Sequence, residues 1–196
     1  MYSILTTPAI VIRARGVGEN GKIFSLFSRD LGLVKAHAQG VRNFNSKLHA
    51  HLIDFSLSKI SLVRGKNSWR LTGANAEKNY YQLFKTAPLK LETAANVVRL
   101  LERLIHGEEK NEKLFDLVKN GLDFLEKLPE EKKAILTFET TLVLRILCNL
   151  GYVQKHDSIS LLATTDNWNE KLLATVRPKI PHLIAVINQS LKESHL

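Results

Sequence analysis

The spacing of apolar residues changes character about two-fifths of the way along the chain. Up to about residue 75, apolar and polar positions alternate in short runs, the period of strands whose successive side chains face opposite sides. Ala9–Arg15 sets Ile10, Ile12 and Ala14 on one face and Val11, Arg13 and Arg15 on the other. Lys22–Ser28 is a second strand, with adjacent apolar pairs that leave its period ambiguous. Leu33–Ala38 alternates again, with Val34, Ala36 and Ala38 opposite Leu33, Lys35 and His37. In Leu52–Val63, Ile53, Phe55 and Leu57 share one phase and Ile60 and Leu62 the other, a switch near Ser58 and Lys59 that a β-bulge produces. Trp69–Gly73 is a fifth strand, after the turn Arg64–Ser68. Five short strands without crossover helices predict a small antiparallel barrel.

From about Asn79 the period becomes helical. Ala94, Val97, Val98, Leu101, Leu104 and Ile105 form one apolar stripe, and Leu114, Val118, Leu122 and Leu125 another, closed by Pro129. Glu130–Tyr152 is a longer helix with acidic residues suited to its N-terminus and Gly151 suited to its end. Asp166 is placed to cap a helix through Val176, and Pro181 to open a last one through Lys192. The fold class is therefore α+β, with a barrel over residues 1–77 and an all-α helical domain over 78–196.

Charge sharpens this division. Residues 1–77 carry eleven Lys and Arg against four Asp and Glu, whereas the other 119 positions are nearly balanced. Such asymmetry is the electrostatic footprint of a polyanion partner. One cysteine, Cys148, excludes an internal disulfide and fits a reducing cytosol, with the residue buried in an apolar stretch. No secretory signal pattern opens the chain, and no apolar run approaches the roughly 18 residues of a membrane span.

Enzymatic chemistry is not visible. Gly16–Lys22 fits both G-x-G-x-x-G and G-x-x-x-x-G-K, but Ile23 stands where a phosphate loop needs a hydroxyl. The strand before it ends in Arg13 and Arg15 rather than running apolar, so the segment is a hairpin turn. His49 and His51 lack partners at a metal-ligand spacing. No nucleophile is paired with a base, and neither a cofactor nor a metal is expected.

The binding chemistry falls on the barrel. Gln39–Lys47 is a loop that presents Arg42 and Lys47 to phosphates, and its Phe44 either stacks on an unpaired base or lids the barrel's end. Arg13, Arg15, Lys22, Lys35, Arg64, Lys66 and Arg70 extend the positive surface. Binding that weakens steeply with salt is the expected signature. An RNA-binding barrel with a helical protein-docking domain is the alternative reading.

The runs Ala9–Arg13, Gly18–Arg29 and Gly32–Arg42, continued by Ser46–Ala50, Phe55 and Leu57, resemble the bacterial RecO family of DNA repair proteins. Tyr80-Tyr81, Phe138-Glu139 and Leu150-Gly-Tyr152 match it more loosely. The resemblance implies an OB-fold followed by a helical domain, and a non-enzymatic protein that binds single- and double-stranded DNA and anneals complementary strands. It implies a recombination mediator that assists RecA loading with two partners, RecR and the C-terminal tail of the single-stranded DNA-binding protein. A cytoplasmic, nucleoid-associated chain, monomeric on its own, goes with that. The family's basic loop falls on Gly40 through Lys47. Many members carry a four-cysteine zinc site after the Leu-Gly-Tyr motif; residues 153–160 here contain no cysteine, so no metal is expected there.

Overall fold

The computed structural model describes residues 3–41, 48, 51–153 and 167–194. Five strands, β1 (Ile4–Val17), β2 (Gly21–Ser28), β3 (Gly32–Ala38), β4 (Ser56–Arg64) and β5 (Trp69–Asn79), close a barrel in the order β1-β2-β3-β5-β4. The long β1 serves two neighbours, pairing its second half with β2 and its first half with β4. This is the OB-fold arrangement. Four of the five ladders are antiparallel, and the fifth, Ala36↔Trp69 and His37↔Arg70 between β3 and β5, is parallel. A ring of five strands cannot alternate direction all the way round, so the expected all-antiparallel barrel is corrected at this one seam.

Inside the barrel pack Ala9, Val11, Phe24, Leu26, Val34, Ala36, Ile60, Leu62 and Leu71, with Ala14 and Trp69 at the margin. The simple alternation expected for β1 fails at its middle. The β1–β2 register slips between Val11 and Arg13, making Ile12 a bulge, and all of Ala9–Ile12 is buried. The bulge changes the phase, so Ala9 and Val11 share the interior with Ala14, and Arg13 and Arg15 emerge outside. β4 begins only at Ser56, because Phe55 adopts a left-handed turn (φ 63°) and Ile53 is exposed. The irregularity expected near Ser58 exists in the β4–β5 ladder, but the extra residue, Glu77, lies on β5. A second slip at Thr72 helps β5 curl for eleven residues, well past the expected Gly73.

The chain divides into two compact units: residues 1–86 with 98–115, and residues 87–97 with 116–196. After β5 come α1 (Tyr80–Phe84), α2 (Pro88–Leu104), α3 (Glu112–Lys127), α4 (Lys132–Asn149), α5 (Glu170–Val176), a single 3₁₀ turn and α6 (Ile180–Glu193). The residues of both expected helical stripes are buried. In the first unit, Phe115 meets Phe27 on the barrel's outer surface, with ring centroids 5.6 Å apart. In the second, α4 is buried on most of its circumference, including the polar Thr137, Thr140, Thr141 and Arg145. Thr137 and Thr141 satisfy their buried hydroxyls by donating to carbonyls one turn back. Gly151 follows α4 with φ 82°, the left-handed conformation that ends helices. Asn169, rather than Asp166, caps α5 by accepting from the Leu172 amide. Asp166 is outside the described residues. Trp168 stacks on Phe124 and covers the buried Arg145 guanidinium at 4.4 Å, and Cys148 is buried.

Gly32 opens β3 at φ 70°, and a Cβ there would overlap the Glu109 carbonyl oxygen. Gly32→Ala therefore combines left-handed strain with a backbone clash, and is expected to destabilise the chain by about 3 kcal/mol, read as a lowered urea midpoint. An unchanged midpoint contradicts this packing.

Candidate nucleic-acid interface

Directly opposed residues in a sheet share a face. Arg15 lies opposite Ile23, Ile23 opposite His37, and His37 opposite Arg70, which makes one row across β1, β2, β3 and β5. Three strand spacings separate its ends, about 14 Å. The adjacent row runs Arg13, Ser25, Lys35. The pleat and the Ile12 bulge thus gather five cationic or ionisable side chains, Arg13, Arg15, Lys35, His37 and Arg70, on one outer patch. All five are exposed. Further down the same face, Ile10 and Phe27 are buried and apolar. The outer surface is therefore half structural and half open.

Two clefts flank this patch. One, about 720 Å³, lies at the barrel mouth between the β1–β2 turn (Glu19, Asn20, Gly21) and β5, and is lined by Lys22, His37, Gln39, Arg70 and Thr72. The other, about 630 Å³, is lined by Arg13, Lys35, His37, Arg64 and Trp69 together with Glu102, Ile105, His106 and Glu108. His37 touches both. Charge counting passes over His37, although its alternation with Lys35 on the exposed face of β3 carries the signal.

The expected site residues that are described separate into three groups, and three more lie outside the described residues. Arg15, Lys35, Lys66 and Arg70 are exposed, and among the described residues no carboxylate forms an ion pair with them. Arg13 and Arg64 are already held. Arg13 Nε donates to Glu102 Oε1 at 2.7 Å, and Arg64 Nη1 donates to Glu108 Oε2 at 2.5 Å while its guanidinium lies 4.8 Å from the Trp69 ring centre. Lys22 sits apart from the patch, half-buried at the barrel mouth, where its charge acts on Asp54. Arg42, Phe44 and Lys47 lie outside the described residues, as does His49. His51 is half-buried, and its Nδ1 accepts from the Ala76 amide.

Gly16–Lys22, the phosphate-loop lookalike, is the β1–β2 hairpin, with Val17 paired to Gly21 and Gly18 at φ 60°. Among the described residues no group of three His, Cys, Asp or Glu is placed to hold a metal ion, and no helix is long and apolar enough to cross a membrane. The cysteine-free stretch 154–160 is outside the described residues.

The first unit, barrel with residues 98–115, carries seventeen Lys and Arg against eight Asp and Glu, and the second unit is balanced at eleven each. All of the net charge of +9 thus belongs to the unit with the cationic sheet face.

An OB-fold barrel with a cationic outer face, followed by helices, defines the class of protein. The family follows from comparison with known sequences. Residues 1–80 match the model "Recombination protein O N terminal" and residues 87–154 match "Recombination protein O C terminal". The chain belongs to this family, as its resemblance in Ala9–Arg42 led one to expect. Similar proteins include the DNA repair protein RecO of Caldanaerobacter subterraneus subsp. tengcongensis, 28% identical over 163 residues, which are 83% of this chain and 64% of that one. The DNA repair protein RecO of Dehalococcoides mccartyi is 31% identical over 169 residues, 86% of this chain and 62% of its own. That of Heliobacterium modesticaldum is 31% identical over 144 residues, 74% and 50% respectively. The chain spans a little under two thirds of the length of the first two.

Asp54 supplies a pH test of the barrel mouth. Partial burial raises its carboxyl above the usual 3.8, against the attraction of Lys22 and a hydrogen bond from the Ala14 backbone. An acid that holds its proton more tightly when folded costs stability once ionised. The melting temperature of the native chain, compared with Asp54→Asn, should fall as pH rises from 3.8 through the folded pKa and then run parallel. A difference that is constant across that range refutes this environment.

Proposed function

We propose that this protein is a non-enzymatic DNA-binding and strand-annealing recombination mediator in DNA repair, with residues 1–77 as the nucleic-acid-binding part and 78–196 as a helical domain. The observation that carries the reading is the row Arg15, His37 and Arg70, with Lys35 beside it, on the open face of an OB-fold barrel. Family membership supports it, since the relatives are named DNA repair protein RecO. Assistance to RecA loading, with RecR and the tail of the single-stranded DNA-binding protein as partners, belongs to the same proposal, as do single- and double-stranded DNA as ligands and a nucleoid location.

The mechanism follows from charge. Two complementary strands repel through their phosphates, and each cation that meets a phosphate releases condensed counterions. A sheet face that binds backbones leaves base edges free, because phosphate contacts position a strand without reading it. Annealing then needs no bond cleavage and no cofactor. Arg15, Lys35 and Arg70 hold the backbone across the strands, Lys22 and Lys66 extend the contact at the barrel mouth and the β4–β5 turn, and Arg42 and Lys47 add cations, with Phe44 either stacking on a base or lidding the barrel.

The test is annealing of complementary oligonucleotides in a salt series. Arg15→Glu with Arg70→Glu should weaken single-strand binding at least about tenfold and flatten the salt slope by about 1.4, two contacts at about 0.7 each. Unchanged affinity and slope overturn the reading. Tighter binding to RNA than to DNA of one sequence favours the RNA-binding alternative, because only a 2′-hydroxyl contact distinguishes the two backbones.

A further inference from the structure

We infer that Glu102 and Glu108 are specificity-determining residues that stand in for phosphate on Arg13 and Arg64, and so confine a bound strand to the Arg15–His37–Arg70 row. The inference rests on the nucleic-acid-binding reading above. Within the first unit, residues 98–115 bring carboxylates to the barrel's cations: Glu102 to Arg13 at 2.7 Å, Glu108 to Arg64 at 2.5 Å, and Glu112 to Arg29 at 2.7 Å. A carboxylate on a guanidinium offers the same charge and the same acceptor oxygens as a phosphate. The two arginines are the more exposed partners, with side chains 58% and 61% accessible, against 28% for Glu102 and 39% for Glu108. They are in reach of a ligand but already satisfied.

Displacement costs more than the ion pair itself. An exposed pair is weak alone. When a phosphate takes Arg13, however, Glu102 stays where α2 holds it and faces the phosphate with like charge. Glu108, on the bend between α2 and α3, likewise faces any phosphate that takes Arg64, whose guanidinium is also set over the Trp69 ring. Arg15, Lys35 and Arg70 carry no such penalty, since among the described residues no carboxylate pairs with them. The strand is therefore directed away from the Glu102 and Glu108 side of that cleft, and along the row that leads past His37 to the barrel mouth.

The test uses the full chain and a fluorescein-labelled oligo-dT in a salt titration. Glu102→Gln with Glu108→Gln should tighten binding about fivefold and steepen the salt slope by about 1.4, as two further phosphate contacts form. Glu109→Gln, which removes one exposed charge that pairs with no described cation, is the control for long-range electrostatics. Arg13→Ala with Arg64→Ala should cost the native chain clearly less than Arg15→Ala with Arg70→Ala, yet abolish the gain when added to the glutamine pair. The inference is overturned if the glutamine pair gains no more per charge than Glu109→Gln, or if the alanine pair costs the native chain as much as Arg15→Ala with Arg70→Ala. Absence of oligo-dT binding by the native chain would instead defeat the underlying reading.

Discussion

A guanidinium on a protein surface can neutralise a phosphate only if no carboxylate holds it first, and this competition decides which part of the barrel is chemically open. Arg13 and Arg15 are two residues apart on one strand and share a face, but Glu102 takes the first and leaves the second. Arg64 and Arg70 bracket one turn, and Glu108 takes Arg64 alone. On the face shared by β1, β2, β3 and β5, what stays open is a compact row, Arg15, His37 and Arg70, with Lys35 beside it. The row exists because β1 breaks its own alternation at Ile12. Without that bulge the arginines of β1 would fall in the interior phase, and neither pairing nor binding would be available to them.

The outer face of the barrel joins two physical roles. Toward one end it is apolar and covered, with Ile10 and Phe27 buried and Phe115 against Phe27. Toward the other it is polar and accessible. The covered end removes apolar surface from water, and the buried contacts fix the sheet to which the open end is attached. A binding face built on paired strands is held more precisely than one built on loops, which suits a contact whose strength depends on several cations meeting one backbone together.

Much of this was legible in the sequence. Strand-like alternation in Leu33–Ala38 placed Lys35 and His37 outside correctly, and the helical stripes from Ala94 and Leu114 are buried as read. Ile23, in place of a hydroxyl residue, rightly turned Gly16–Lys22 into a hairpin. Three features were hidden, each because it depends on pairing partners outside the segment that carries it. The Ile12 bulge is set by pairing with β2, and periodicity within Ala9–Arg15 cannot register it. The parallel β3–β5 seam follows from closing an odd number of strands. The neutralisation of Arg13 and Arg64 comes from glutamates 89 and 44 residues later, where a count of charge by segment sees only a nearly balanced stretch. Lys22 was grouped with the arginines by charge, but its register puts it on the interior phase, next to Phe24, at the barrel mouth.

The most direct measurement is amide chemical-shift mapping of the isotopically labelled chain during titration with oligo-dT. The largest shifts should fall on residues 14–16, 22–24, 34–38 and 69–72, the stretch of four strands that carries Arg15, His37 and Arg70, and should vanish at high salt. Shifts concentrated in α3 to α6, or spread evenly over the barrel with no preference for that row, would contradict the account.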